Sequence, residues 1–413
     1  MENQLTIAYQ QSCGISNDRL FRTLQGLTAY SEHLIRVAAE MDYEAREASL
    51  CLPNDSTIMH ESELVRSRVA NKKLKYVILV GIGGSSLGTE ALYNASFGHY
   101  DAIDPTRKPQ LIVLDTIDPL FAKKLSAFLQ LHIHHPDDFV VNVVSKSGGT
   151  METKMNMQWI LQQLRRKCKH IEQRVVMTTD ADSGLATYAR QHGMHLLTIP
   201  KHVGGRFSVF STVGLFPLSL LGIDIRTLRA GATHMRNSCL RAPMKKNIAA
   251  LSASVLFLQR QSGKFIHDTF LFAPALESLG KWYRQLLAES IGKTPSAGIT
   301  PTTSIGSTDL HSIAQLTFAG PRHTYTTFVT QQQPSSTALS SIYHGVQRAY
   351  THAKLPFMEI VLPNSAPYSL GQFLQFKMLE VMYLGKLFGI NAFDQPAVEW
   401  YKKEVRKILA NKL

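Results

Sequence analysis

Two loops rich in glycine and hydroxyl side chains could bind an anion. The first, GIGGSSLG, covers residues 81–88, and the second, SKSGGT, covers residues 145–150. Each follows an apolar run typical of a buried strand and precedes a segment with a helical pattern. Backbone N–H groups, hydroxyls and a lysine therefore surround a helix start, where the helix dipole is positive, and such donors suit a phosphate dianion. Two such loops on successive sheet edges predict a phosphate pocket beyond the carboxyl ends of the strands.

Other interpretations of these loops stay open from the residues alone. The first loop has the pattern G-x-G-x-x-S, whereas a dinucleotide-binding fold uses G-x-G-x-x-G. Asp115 ends the next strand, as a ribose-binding acid would, so a dinucleotide remains an alternative ligand. Either loop could also be a tight turn without a ligand, and Thr150 could serve only as a helix N-cap.

Two charged residues further along the chain are candidates for catalysis. Arg206 follows two glycines in VGGRFS, which lets its guanidinium point into a cleft. An arginine cannot donate its proton at neutral pH, so its expected task is to stabilise negative charge. Glu289, in ESIGK, ends an apolar helix predicted over 276–288 and could act as a base. In isolation, each could instead be structural, as an arginine paired with a carboxylate or as an exposed helix cap.

Composition limits the class of protein. The chain has 44 Lys and Arg against 31 Asp and Glu, for a net charge of +13, but it has no run of five basic residues, so no nucleic-acid partner is predicted. Its four cysteines form no C-x-x-C pair, which argues against a structural metal site and a disulfide framework. The N-terminus lacks a secretory pattern, and the apolar uncharged stretch 207–223 is shorter than the ~20 residues of a membrane span. We therefore expect a cytoplasmic protein that binds no metal and no membrane.

Short apolar runs alternate with helix-length segments over most of the chain. The first set consists of residues 76–80, 111–114, 139–144, 175–178 and 196–199, and the second of 265–272, 325–329 and 357–362. Runs that are apolar on both faces predict buried parallel strands. The sequence predicts an α/β fold with two doubly wound sandwich domains. We expect a helical N-terminal segment (1–70), a first domain (71–225), a second domain (226–390) and a C-terminal helix (391–413).

The motifs, taken together and in order, resemble those of the glucose-6-phosphate isomerase family. They are GIGGSSLG, SKSGGT, VGGRFS, ESIGK, and FDQPAVE followed two residues later by a lysine, and they extend from residue 81 to residue 402. The resemblance implies a pair of SIS-type (sugar isomerase) domains. It also implies a metal-independent, cofactor-free aldose–ketose isomerase of glycolysis and gluconeogenesis. Such an enzyme interconverts glucose 6-phosphate and fructose 6-phosphate through a cis-enediolate.

Roles for individual residues follow from the resemblance by position. Glu289 is implied as the base that moves a proton between C1 and C2, and Arg206 as the group that stabilises the enediolate. His311 and Lys402 match residues implicated in opening the sugar ring. The implied substrate-binding residues are Gly84, Ser85, Ser145, Lys146, Ser147, Thr150, Gln285 and Gln395. The family also implies a homodimer with shared active sites, in which His311 reaches into the pocket of the partner.

The chemistry of the candidates agrees with this interpretation. Moving a proton from a carbon α to a carbonyl requires a base and a cation near the developing oxyanion. A non-catalytic sugar-phosphate-binding regulator is the main alternative, because it would keep the hydroxyl-rich loops but would not need the charged residues together. An isomerase that also accepts mannose phosphate is a further alternative, since C2 stereochemistry depends on pocket geometry.

Overall fold

Two five-stranded sheets organise the protein. The computed structural model describes residues 3–98, 100–104, 106–332 and 336–410. The strands are β1 (Thr6–Ala8), β2 (Tyr76–Val80), β3 (Gln110–Leu114), β4 (Phe139–Val144), β5 (Val175–Thr179), β6 (His195–Thr198), β7 (Ile266–Leu271), β8 (Thr300–Ile305), β9 (Thr324–Gln331) and β10 (Phe357–Leu362). The helices are α1 (Asn17–Gln25), α2 (Thr28–Glu40), α3 (Ser56–Val69), α4 (Leu87–Phe97), α5 (Pro119–His132), α6 (Met151–Arg165), α7 (Gly184–Gln191), α8 (Thr212–Leu220), α9 (Ile225–Arg241), α10 (Ile248–Gln261), α11 (Glu277–Ile291), α12 (Leu310–Ala319), α13 (Thr337–His352), α14 (Pro367–Phe388) and α15 (Val398–Ala410).

The first sheet is parallel throughout and has the order β3-β2-β4-β5-β6. Its central strands β2, β4 and β5 are buried along their whole length, as their apolar sequences predict. Because β2 and β4 are neighbours with Tyr76 opposite Phe139, the loops that follow them emerge side by side. The sheet therefore places both anion-type loops at one edge.

The second sheet has the order β1-β10-β9-β7-β8 and is parallel except for β1, which pairs antiparallel with β10. The α/β prediction is confirmed, but β1 and β8 were not predicted. β1 has three residues and so carries little pattern, and β8 (TPTTSI) lacks an apolar run. Residues 6–8 thus lie in a sheet, which corrects the expectation that 1–70 is only helical.

Close helix packing surrounds α14, whose residues 369–385 are buried. A Cβ on Gly231 of α9 would lie 2.0 Å from the Tyr368 carbonyl oxygen, and one on Gly371 would lie 2.0 Å from that of Leu228. Both positions require glycine because the two helices touch there through their backbones. The contact joins α9, which begins at Ile225, to α14. The division into 1–70, 71–225, 226–390 and 391–413 remains a proposal.

A buried ion pair ties α11 to α14. Lys377 Nζ lies 3.1 and 3.0 Å from the two carboxylate oxygens of Glu380, and both side chains are fully buried. Tyr283 of α11 donates its hydroxyl to Glu380 Oε1 at 2.5 Å, and Ser252 of α10 donates to the other oxygen. These bonds fix the helix that carries Glu289.

None of the helices in the described ranges combines the length and the apolar character that crossing a bilayer requires.

Candidate active site

Arg206 is the centre of the site. It lies in a short 3₁₀ turn after Gly204, and its side chain is 2% exposed. Nη1 donates to Glu289 Oε2 at 3.1 Å and to Gln395 Oε1 at 2.8 Å, and Nε donates to Ser290 Oγ at 2.7 Å. One guanidinium thus joins the turn after β6, the end of α11 and the C-terminal part of the chain.

The other guanidinium nitrogen binds the backbone. Nη2 donates to the carbonyl oxygens of Ala392 at 2.7 Å and Asp394 at 3.0 Å. Burial lowers the pKa of Arg206, and the nearby carboxylate of Glu289 acts in the opposite direction. An arginine stays protonated at neutral pH even so. The result is a positive charge held in one orientation by acceptors on every nitrogen.

Glu289 lies in the last turn of α11, beside Gln285 on the same helical face. Gln285 Nε2 donates to Glu289 Oε1 at 3.0 Å, so a different donor meets each carboxylate oxygen. The Glu289 side chain is 33% exposed, in contrast to its arginine partner. Gln285 Oε1 is buried and accepts no hydrogen bond from the described residues. The carboxylate is therefore oriented from one side and open on the other, as a base needs.

Glycines bring the first loop against this group. Gly83 has φ +59°, and a Cβ there would lie 2.9 Å from Gln285 Nε2. A Cβ on Gly84 would lie 2.2 Å from the carbonyl carbon of Gly205, within the turn of Arg206. The backbone of Gly205 leaves no room for a side chain at Gly84, and the positive φ of Gly83 favours glycine there. The first loop, with Ser85 in it, is thus packed against the turn of Arg206 and against Gln285, which donates to Glu289.

The second loop leaves hydroxyls at the start of α6. Ser145 Oγ donates to Thr150 Oγ1 at 3.3 Å, and Ser147 Oγ accepts the backbone N–H of Gly149 at 3.2 Å. Thr150 is the N-cap residue of α6, but its side chain accepts no N–H of that helix. The helix start therefore lacks a side-chain cap, which favours an anion site over a purely structural N-cap.

Lys146 connects the second loop to the arginine turn. Its Nζ donates to the carbonyl oxygens of Lys201 at 2.6 Å and Val203 at 2.9 Å. Burial lowers the pKa of Lys146, and the charge of Asp180 counteracts this shift. An ammonium has three protons, so one is left for a ligand.

His311 and Lys402 lie apart from this group. His311 is exposed in the first turn of α12, and Lys402 is exposed on α15, where its Nζ lies 3.1 Å from Glu399 Oε1. Within the described ranges, neither side chain has a hydrogen bond to Arg206 or Glu289. A single chain thus assembles the predicted base, cation, glutamines and loops, but not the two residues matched to ring opening.

Three residues at the site were not predicted: Ser290, Lys293 and Asp394. Ser290 accepts from Arg206, while Lys293 Nζ donates to the Asp394 carbonyl oxygen and lies 3.1 Å from its carboxylate. Ser290 and Lys293 belong to the motif ESIGK, and Asp394 belongs to FDQPAVE. The motifs therefore contained the information that these residues lie near the site. The motifs give no indication, however, that residues about 100 positions apart form a pair.

The candidate site is recognised neither by a cluster of metal ligands nor by a cavity. The described part of the chain contains no cluster of three or more His, Cys, Asp or Glu side chains suited to a metal ion. A cavity of about 740 Å³ lies elsewhere, between α2 and α9, and none of the predicted site residues lines it. The converging charges and loops locate the site better than the shape of the surface does, because they supply the donors and acceptors that chemistry needs.

Comparison with known proteins agrees with this geometry. A family model described as phosphoglucose isomerase matches residues 59–330. A glucose-6-phosphate isomerase from Carboxydothermus hydrogenoformans is 32% identical over 378 residues, which cover 83% of this chain and 80% of that protein. The chain belongs to the phosphoglucose isomerase family.

Solved structures show the same fold. The crystal structure of a hypothetical protein from Thermus thermophilus is similar with a TM-score of 0.85 and 28% identity, covering 98% of this chain and 100% of that one. A glucose-6-phosphate isomerase from Chlamydia trachomatis has a TM-score of 0.82 at 20% identity and covers 100% of this chain and 89% of its own. The two-sheet architecture is therefore that of solved phosphosugar isomerase structures.

Proposed function

We propose that this protein is an aldose–ketose isomerase that interconverts glucose 6-phosphate and fructose 6-phosphate. The observation that carries the proposal is the pair formed by buried Arg206 and half-buried Glu289, 3.1 Å apart and beside two anion-type loops. Two curated relatives that align with more than four-fifths of this chain bear the name glucose-6-phosphate isomerase. A sugar-phosphate-binding regulator would need the loops but not the charged pair.

Glu289 moves the proton in this proposal. Its carboxylate takes the proton from C2 of the open-chain aldose, and the C–H electron pair forms a C1–C2 double bond while the carbonyl electrons move to O1. The resulting cis-enediolate carries negative charge, and Arg206 provides a fixed positive charge for it. The proton on O2 is transferred to O1, the electron pair left on O2 forms the C2 carbonyl, and the electron pair of the C1–C2 double bond takes the proton back from Glu289 at C1. No oxidant or metal enters this balance.

The two loops bind the phosphate, far from the reacting carbons. The hydroxyls of Ser145, Ser147 and Thr150, the free proton of Lys146 and the first amides of α6 are the proposed donors. Gly84 and Ser85 of the first loop complete the pocket, while Gln285 and Gln395 bind sugar hydroxyls. Binding the remote phosphate holds C1 and C2 against Glu289, which lowers the entropic part of the barrier.

Ring opening is assigned to His311 and Lys402, and for His311 this assignment draws on a second chain. His311 lies on α12, which exposes Leu316, and Lys402 lies on α15, which exposes Trp400. Exposed apolar side chains on both helices support burial against a partner. We therefore propose a homodimer in which His311 completes the pocket of the partner. We place this dimer in the cytoplasm and propose no nucleic-acid partner for it.

A coupled assay tests the reaction directly. Purified protein is given fructose 6-phosphate, and glucose 6-phosphate is detected through a dehydrogenase that reduces NADP. We expect turnover that depends on protein concentration and is lost in a folded Glu289→Gln preparation. Binding of the sugar phosphate without turnover would establish the regulator instead. Mannose 6-phosphate, supplied as the substrate in the same assay, tests whether the enzyme also accepts the sugar phosphate with the opposite configuration at C2.

A further inference from the structure

Residues 391–395, between α14 and α15, form what we call the tail loop. Ala392 is buried, and the Phe393 ring packs on Phe207 with centroids 5.4 Å apart. Beyond these two apolar contacts, the loop is held by polar groups of Ala392, Asp394 and Gln395. The helix α15 that follows buries no residue, so it does not hold the loop from the other side.

Lys293 is the main polar contact of Asp394. Its Nζ donates to the Asp394 carbonyl oxygen and lies 3.1 Å from Oδ1, while Asn391 Nδ2 donates to Oδ2 at 2.7 Å. The Lys293 side chain is only 11% exposed, whereas that of Asp394 is 51% exposed, so the ammonium is shielded from solvent while the carboxylate stays hydrated. Burial lowers the pKa of Lys293, and the Asp394 carboxylate opposes that shift.

The tail loop in turn supplies Arg206 with three of its acceptors. Asp394 O and Ala392 O accept from Nη2, and Gln395 Oε1 accepts from Nη1 at 2.8 Å. The Asp394 carbonyl is therefore shared between Lys293 and Arg206. A displacement of this carbonyl would change the direction of the guanidinium and move Gln395, the next residue.

We propose that Lys293 is a positioning residue, which acts through Asp394 to hold Gln395 and to fix the Arg206 guanidinium toward Glu289. Lysine suits this task because its ammonium can donate to a carbonyl and a carboxylate at once. The carboxylate also balances a second positive charge close to Arg206. This inference rests on the proposed isomerase function, but its first readout does not depend on activity.

The test compares Lys293→Met, Lys293→Arg and Asp394→Asn with wild type. Lys293→Met keeps the apolar stem and removes the charge. We expect hydrogen–deuterium exchange of a peptide covering 391–397 to accelerate roughly fivefold or more, because the loop opens locally. In the isomerase assay, we expect kcat to fall about 10- to 100-fold with a smaller change in KM, because the group that stabilises the transition state is misaligned. Lys293→Arg should restore much of both, and Asp394→Asn should give a weaker version of the same pattern.

Lys281→Met is the matched control. Lys281 lies on the same helix, α11, in an exposed pair with Glu277 at 2.7 Å, and its removal should leave exchange at 391–397 and kcat unchanged. Wild-type exchange in the tail loop of Lys293→Met overturns the proposal, as does a fall in kcat without faster exchange there. If Lys293→Met does not fold, unchanged exchange in Asp394→Asn overturns it equally. An inactive wild type with faster exchange in Lys293→Met would reject the reaction and retain the positioning role.

Discussion

At the scale of single residues, the site is an asymmetric ion pair. Arg206 is enclosed by protein acceptors, whereas Glu289 keeps a third of its side chain open to solvent. The cation is thus pre-oriented and the carboxylate stays accessible to a substrate carbon. This division of burial is the arrangement expected when the arginine stabilises charge and the carboxylate exchanges a proton.

Replacing the base keeps its shape and removes its function. We expect Glu289→Gln to lower kcat by ~10²–10⁴-fold, because an amide cannot accept the C2 proton. The amide oxygen can still accept from Arg206, so the fold and phosphate affinity should change little. The coupled assay gives kcat, and inhibition by inorganic phosphate reports the loops. Near-normal turnover in the folded variant would remove Glu289 from the role of base.

Replacing the arginine should affect the rate more than substrate binding. We expect Arg206→Ala to lower kcat by about 10²–10³-fold with a smaller rise in KM, since its charge is matched to the enediolate. Arg206→Lys should restore little, because an ammonium lacks the planar fork that meets acceptors on several sides. Steady-state kinetics of both variants check this. A raised KM with unchanged kcat would identify Arg206 as a ground-state binding residue.

At the scale of elements, the position of α11 depends on the buried Lys377–Glu380 pair. Lys377→Met leaves a buried carboxylate without its cation, and we expect it to lower the free energy of unfolding by ~3–5 kcal/mol. Lys281→Met removes an exposed pair on α11 and should cost only about 0.3–0.5 kcal/mol. Denaturant unfolding of both variants gives the comparison. Equal stability of the two would show that the buried pair contributes no more than a surface pair.

The elements also show what local sequence can predict. Strands β2, β4 and β5 were found because burial on both faces gives an uninterrupted apolar run. β8 alternates exposed and partly buried threonines on an edge, so it lacks that signal. The loops were identified from glycines and hydroxyls, which need only a few neighbouring residues. The bonds from Arg206 to Ala392 and Asp394 span more than 180 positions, and no local pattern encodes such contacts.

At the scale of the whole molecule, we propose that the site is divided between two chains. A mixed dimer of a His311→Ala chain and a Glu289→Gln chain has one pocket with both wild-type groups and one with neither, if His311 serves the partner. Such purified dimers should have about half the wild-type activity per dimer, because activity follows intact pockets. The two parental homodimers are the controls. Mixed dimers no more active than these parents would show that each chain uses its own His311.

The antiparallel pairing of β1 with β10 has a consequence for the order in which the chain is made. Thr6 faces Val361 across the sheet, so β1 leaves the ribosome some 355 residues before the strand with which it pairs. At ~5–20 residues per second, the wait is on the order of 20–70 s. During this time β1 has no partner, and the sheet edge it will cover does not exist. Translation therefore has to pass β10 before β1 can close the second sheet.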